Sequence, residues 1–227
     1  DSEGCTATSH VIVEVNPELI ADAGEDVIIC HDGETQLEAT AEGGTPGYEY
    51  SWTPAEGLSD QNISNPVAEP ETTTTYTVEV TDSEGCTATS HVIVEVNPEI
   101  IADAGDDKSL CYGSDVMLDG SASGGDGNYE FSWSPTDGLN NANTATPVAS
   151  PESTTTYTLT VTDGIDCIDT DQMVVEVNDA VYVNAGDDVI ICHEGEIQLE
   201  ANVDGGTPSY EYYWTPAEGL SDQNISN

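Results

Sequence analysis

An 81-residue period governs this chain. Trp52, Trp133 and Trp214 stand 81 residues apart, Cys5, Cys86 and Cys167 repeat that spacing, and Cys30, Cys111 and Cys192 repeat it again. A period this long and this regular marks a tandem array in which each copy is one folding unit. Two strings recur without change: residues 53–65, TPAEGLSDQNISN, return at 215–227, and residues 1–18 return at 82–99. Each copy ends where an apolar alternating run closes on Asn16, Asn97 or Asn178. The array therefore reads as the C-terminal strand of a preceding repeat (1–16), complete repeats at 17–97 and 98–178, and the N-terminal part of a further repeat (179–227). Junctions such as Val96-Asn97-Pro98 leave almost no linker, which predicts an elongated rod.

Within the first complete copy, residues 26–30 form a short apolar strand, 31–34 a turn, and 35–41 an alternating strand with Leu37, Ala39 and Ala41 on one face. A run of breakers at 43–47 precedes Tyr48, Tyr50 and Trp52, which alternate with Glu49 and Ser51. Pro54, Gly57, Pro66 and Pro70 then restrict the connection to short edge strands, because proline cannot donate to a ladder. Residues 72–80 resume strand character with Tyr76, Val78 and Val80 on one face, and a turn at 82–85 leads into a long strand ending at Val96. Helical periodicity is nowhere apparent. The expected class is all-β, a series of immunoglobulin-like antiparallel sandwiches of about seven strands. Trp52, Tyr76, Trp133, Tyr157 and Trp214 are its core markers, with each Tyr placed as in a tyrosine corner. Val78 and Leu37 stand where antibody domains carry their buried disulfide, so the six cysteines here serve elsewhere.

Composition narrows the function classes. Forty-five Asp and Glu against Lys108 alone give a formal net charge of −44, which repels nucleic acid and anionic membrane surfaces. Solvated carboxylates are the ordinary reading of such a surface. The sharper reading is calcium held between acid turns at repeat junctions, with Asp32 and Glu34 from one turn and Asp163 and Asp166 from another, and no other cofactor is expected. Cysteines recurring at fixed places in a strand-rich chain point to disulfides and an oxidising, extracellular or cell-surface location. No enzymatic signature stands out: His31 and His193 share one repeat position, His10 and His91 another, and the middle copy has Tyr112 and Gln172 there. The aromatic strip Tyr48, Tyr50, Trp52 has the alternation of core packing rather than of a sugar platform. Asn62-Ile63-Ser64 and Asn224-Ile225-Ser226 match the N-glycosylation sequon.

Ala23-Gly24, the turn at 31–33, the Gly43-Gly44-Thr45-Pro46 loop, Trp52, the Thr-rich run into Tyr76 and the segment 82–86 together resemble the PKD-like and immunoglobulin-like repeats of very large bacterial surface proteins. The resemblance covers the whole chain and implies cell-surface adhesins and filaments of gliding and environmental bacteria. Two functions follow as expectations. The repeats form the structural shaft of an extracellular fibre, touching neighbouring repeats and other copies, with a surface or glycan ligand at a tip outside this stretch. Alternatively, each repeat is itself a carbohydrate- or surface-binding adhesion module that uses calcium.

In such a layout, Cys30 lies at the end where the chain leaves a repeat and Cys86 at the end where it enters. A strand of about eight residues separates those ends by about 26 Å, whereas a disulfide needs Cα atoms within about 7 Å. The preferred pairing is therefore Cys30 with Cys167 of the next repeat. Pairing inside each repeat, Cys30 with Cys86 and Cys111 with Cys167, is the alternative.

Overall fold

The computed structural model describes residues 2–226, which divide into two compact units at Glu99/Ile100. In the first unit the strands are β1 (Ile20–Asp22), β2 (Val27–Ile29), β3 (Thr35–Gln36), β4 (Thr40–Glu42), β5 (Glu49–Thr53), β6 (Val67–Ala68), β7 (Thr74–Thr81) and β8 (Thr87–Val96). One sheet runs β2-β8-β7-β5, and the pairs β1-β4 and β3-β6 lie outside it. Between them sits a core of Trp52, Tyr76, Val78, Val80, Val92, Val94 and Leu37, none more than 3% exposed. The alternation on β7 sets this: Tyr76, Val78 and Val80 point inward from a pleat of period two, and Trp52 lies directly across from Val78. No helix occurs among the described residues. The chain is thus all-β and immunoglobulin-like, as its pattern predicts.

The structure refines that reading in two places. Residues 35–41 are not one continuous strand. β3 pairs with β6 and β4 with β1, while the amides between them, Leu37 and Ala39, donate to Pro66 O and Ser64 O of the irregular connection. Proline at 66 and the turns before it deny this stretch a regular ladder partner, so it changes sheets. The other refinement is that β2 runs parallel to β8, with Val27 opposite Val94 and Ile29 opposite Val96. The chain reaches that position by crossing between sheets at Ala23-Gly24. There Asp22 Oδ1 accepts the Gly24 amide at 3.0 Å, and Gly24 takes φ +86, which glycine adopts without strain.

The second unit repeats the plan with β9 (Ile101–Asp103), β10 (Lys108–Cys111), β11 (Val116–Met117), β12 (Ser121–Ser123), β13 (Tyr129–Ser134), β14 (Val148–Ala149), β15 (Thr155–Asp163) and β16 (Ile168–Asn178). Its main sheet is β10-β16-β15-β13, again with a parallel first pair. Trp133, Tyr157, Leu159, Val161, Met173, Val175 and Leu118 fill the core, so the divergent middle copy keeps the volume with other side chains. The same unit holds β17 (Tyr182–Asn184) and β18 (Asn202–Asp204), an antiparallel pair equivalent to β1-β4. Residues 2–16, expected as a strand, form none, and Val11, Ile12, Val13 and Val15 are 80–91% exposed.

Candidate functional site

The side chains singled out for chemistry lie at the two ends of each sandwich. At one end of the first unit, Cys30 closes β2 and opens a tight turn in which the Gly33 amide donates to Cys30 O at 2.9 Å and Asp32 takes φ +56. This turn adjoins the end of β8, since Asn97 N donates to Ile29 O at 2.8 Å. Cys86 lies beyond the other end of β8, a strand of 10 residues. At about 3.3 Å per residue that strand is about 30 Å long, several times the reach of a disulfide. In the second unit Cys111 sits opposite Asn178, and Cys167 just precedes Ile168 at the far end of the same strand, β16. Each complete copy therefore holds its two cysteines at opposite ends. Cys30 and Cys167 are disulfide-bonded, whereas Cys86, Cys111 and Cys192 are exposed free thiols. Cys167 is 4% exposed.

The entry-end turns are organised by a buried aspartate. Asp82, 4% exposed, accepts the amides of Cys86 at 2.8 Å and Glu84 at 3.0 Å on Oδ1, and that of Thr45 at 2.9 Å on Oδ2. One carboxylate thereby joins the β7–β8 hairpin turn to the glycine-rich loop before β5. The Thr45 amide, with those of Cys86, Glu84 and Gly85, holds the Asp82 carboxyl below the ordinary carboxylate range. Asp163 repeats the arrangement, accepting the amides of Cys167 at 2.9 Å, Ile165 at 3.1 Å and Asp126 at 3.2 Å. Asp126 in turn accepts the backbone and side-chain N–H groups of Asn128 and the Gly164 amide, and its carboxyl is lowered for that reason.

These bonds bear on the calcium reading. Both oxygens of Asp163 accept backbone amides, so its carboxylate closes a loop. Asp32, Glu34 and Asp166 are exposed turn residues. Among the described residues no three His, Cys, Asp or Glu side chains converge as metal ligands. The role of Asp82 and Asp163 was not anticipated from sequence, although Asp followed four residues later by Cys in a Gly-containing turn is a readable signal for an Asx-anchored hairpin.

Trp52 and Tyr76 are fully buried. The Tyr76 hydroxyl donates to Glu56 O at 2.9 Å, and Tyr157 to Asp137 O at 3.0 Å. In both cases the acceptor lies 20 residues upstream, so the tyrosine fastens the connection after β5 rather than a neighbouring corner. Burial, reinforced by the nearby Glu56 charge, raises the Tyr76 phenol above its ordinary value and keeps it a donor. Tyr48 and Tyr50 are half-buried against the same core. His10, His31, His91 and His193 are all exposed.

No known protein-family profile matches the chain. Among solved structures, it is similar to a C-terminal fragment of intimin in complex with the intimin-binding domain of the translocated intimin receptor, at 15% identity and TM-score 0.50 over 75% of this chain and 67% of that one. A segment of three immunoglobulin domains from titin aligns with 89% of this chain and 81% of that one at 10% identity and TM-score 0.47. A PKD domain aligns at 30% identity over 34% of this chain and 85% of that one, with TM-score 0.29. With the all-β architecture, the likeness to the intimin fragment shows the fold alone: immunoglobulin-like β-sandwich units, here carrying a disulfide. No helix among the described residues is long and apolar enough to cross a membrane.

Proposed function

We propose that this chain is a length of structural shaft from an extracellular fibre or bacterial cell-surface adhesin, in which a disulfide ladder joins consecutive repeats. The observation that carries the reading is the placement of the cysteines inside each unit. Cys30 lies where the chain leaves one repeat and Cys167 lies at the entry hairpin of the next, while β8 and β16 keep the two cysteines of a single repeat apart. Pairing Cys30 with Cys167 then bonds each exit turn to the following entry hairpin. In the same register the thiols of Cys86, Cys111 and Cys192 face equivalent cysteines of further repeats. A ladder of this kind transmits tension past a non-covalent junction, which is the demand on a shaft. The uniform negative charge keeps neighbouring shafts solvated and apart from nucleic acid and anionic membranes. Intimin, whose fragment shares the fold, is bound to a receptor domain in its solved complex.

Peptide mapping without reduction tests the ladder: a cross-linked peptide joining Cys30 to Cys167 is expected, and one joining Cys30 to Cys86 would overturn it. Single-molecule pulling then tests the mechanical role, with the junction yielding at lower force after reduction. Specific retention of this stretch on a glycan array would shift the reading from shaft to binding module.

A further inference from the structure

The connection after β5 carries more than its fold requires. In the first copy the segment is Asp60-Gln61-Asn62-Ile63-Ser64, and in the last it is Asp222-Gln223-Asn224-Ile225-Ser226. Each is pinned in the same way. The Trp52 backbone amide donates to Gln61 O at 2.8 Å and its indole N–H to Ile63 O at 2.9 Å. Trp214 makes the same bonds to Gln223 O at 2.9 Å and Ile225 O at 2.8 Å. Asp60 Oδ1 accepts the Asn62 amide at 2.8 Å, and Asp222 Oδ1 accepts that of Asn224 at 2.9 Å. Asn62 and Asn224 are exposed.

The middle copy shows what the fold itself needs here. Its segment is Asn141-Ala142-Asn143-Thr144-Ala145, yet Asn141 Oδ1 accepts the Asn143 amide at 3.0 Å and Trp133 reaches Ala142 O and Thr144 O as before. Ala145 O accepts the Gly120 amide just as Ser64 O accepts that of Ala39. The turn thus needs an Asx side chain at the first position and only a backbone carbonyl at the last. The acid of Asp60 and the hydroxyl of Ser64 are surplus to folding, and they stand two residues before and two after an exposed asparagine.

We propose that Asn62 and Asn224 are N-glycosylation sites, modified by an oligosaccharyltransferase that reads both the hydroxyl after the asparagine and the acid before it. The hydroxyl is the recognition element of the general sequon, and an acid at −2 offers a basic side chain on the enzyme a charge-assisted partner. The donor is an oligosaccharide carried on a polyisoprenyl diphosphate. Asn62 Nδ2 attacks its anomeric carbon, the N–C1 bond forms, and the C1–O bond breaks with its electron pair leaving on the lipid diphosphate. The Nδ2 proton passes to an enzyme carboxylate. A glycan here projects from an irregular connection and interrupts no sheet ladder.

The inference rests on the extracytoplasmic reading, and its test separates the two. Protein from its own cells is digested without reduction, and peptides containing Asn62, Asn143 and Asn224 are read by mass spectrometry. The expected result is a glycan mass on Asn62 and Asn224 and none on Asn143. Asp60→Asn, which keeps the Asx acceptor as the middle copy does, is expected to abolish the glycan at Asn62 while Asn224 retains its own. The pair Asn141→Asp with Ala145→Ser is expected to install one at Asn143. Bare Asn62 and Asn224 in a chain whose Cys30 and Cys167 are oxidised would overturn the glycan proposal alone. Bare asparagines with reduced Cys30 and Cys167 would overturn both readings, and a glycan that survives Asp60→Asn would overturn recognition of the acid.

Discussion

Tyr76→Phe isolates one hydroxyl in an otherwise unchanged core. The ring of Tyr76 is fully buried beside Trp52 and Val78, and its hydroxyl holds Glu56 O at 2.9 Å, so the substitution keeps the packing and deletes the bond. A hydrogen bond of this kind contributes a net of about 0.5–1.5 kcal/mol, more when its partner is left dry. The bond is only part-buried, which sets the cost at about 1 kcal/mol. For a repeat of this size that corresponds to a fall in Tm of about 4–8 °C. The neighbouring Gly57 supplies an independent check: it has φ +75, and an added Cβ would lie 2.8 Å from the Tyr76 hydroxyl oxygen. Gly57→Ala is therefore destabilising on its own, and less so in a Tyr76→Phe background, because the removed oxygen relieves part of the clash. Urea unfolding followed by hydrogen exchange resolves the effect by segment, with β15 and β16 as the internal reference. Unchanged protection of β7 and β8 in Tyr76→Phe would refute the claim that this bond fastens the connection. Strictly additive effects in the double variant would refute the close approach at Gly57.

Acid should loosen the entry-end turns. The folded Asp82 carboxyl lies below its ordinary value, so the unfolded chain binds the proton more readily and stability rises with pH through the window below about pH 4. It is lost as pH falls through the folded pKa, and amide exchange at Thr45 and Cys86 should accelerate there before the core opens. Asp82→Asn should abolish that acid step and lower stability at neutral pH, because an amide offers one acceptor oxygen where the carboxylate offers two; thermal melts across pH read both effects. Leu159→Ala in the second core should cost about 2–5 kcal/mol, lowering the urea midpoint of β13, β15 and β16 while leaving β5, β7 and β8 in place.

Two duplicated strings separate what is local in this protein from what is not. Residues 54–64 and 216–226 of the string TPAEGLSDQNISN are pinned alike at both positions: Trp52 and Trp214 each bind a backbone carbonyl with the amide and another with the indole, at matching distances. Asx turns, glycine and nearby tryptophan decide this connection within about 15 residues, so it was legible in the sequence. Strand periodicity, the core markers Trp52, Tyr76, Trp133 and Tyr157 and the exclusion of helix were legible for the same reason, since alternation states which face is buried, whereas the fifth marker, Trp214, is only half-buried and lies outside the core. The sheet change within 35–41, the parallel β2–β8 pair and the buried Asp82 were not, because each depends on partners between 18 and 67 residues away.

The second string makes the point more sharply. DSEGCTATSHVIVEVNPE occurs at 1–18 and at 82–99. In the later position residues 87–96 are strand β8, with Val92 and Val94 no more than 1% exposed. In the earlier position no strand forms, and the equivalent Val11 and Val13 are 86% and 80% exposed. Residues 189–191 behave likewise, without the strand that their counterparts Val27–Ile29 form against β8. Alternation in the sequence fixes which side chains can face a core. Whether they do so is decided by neighbouring strands that accept the backbone hydrogen bonds and cover the valines, because a lone strand can neither pair its amides nor bury its apolar face.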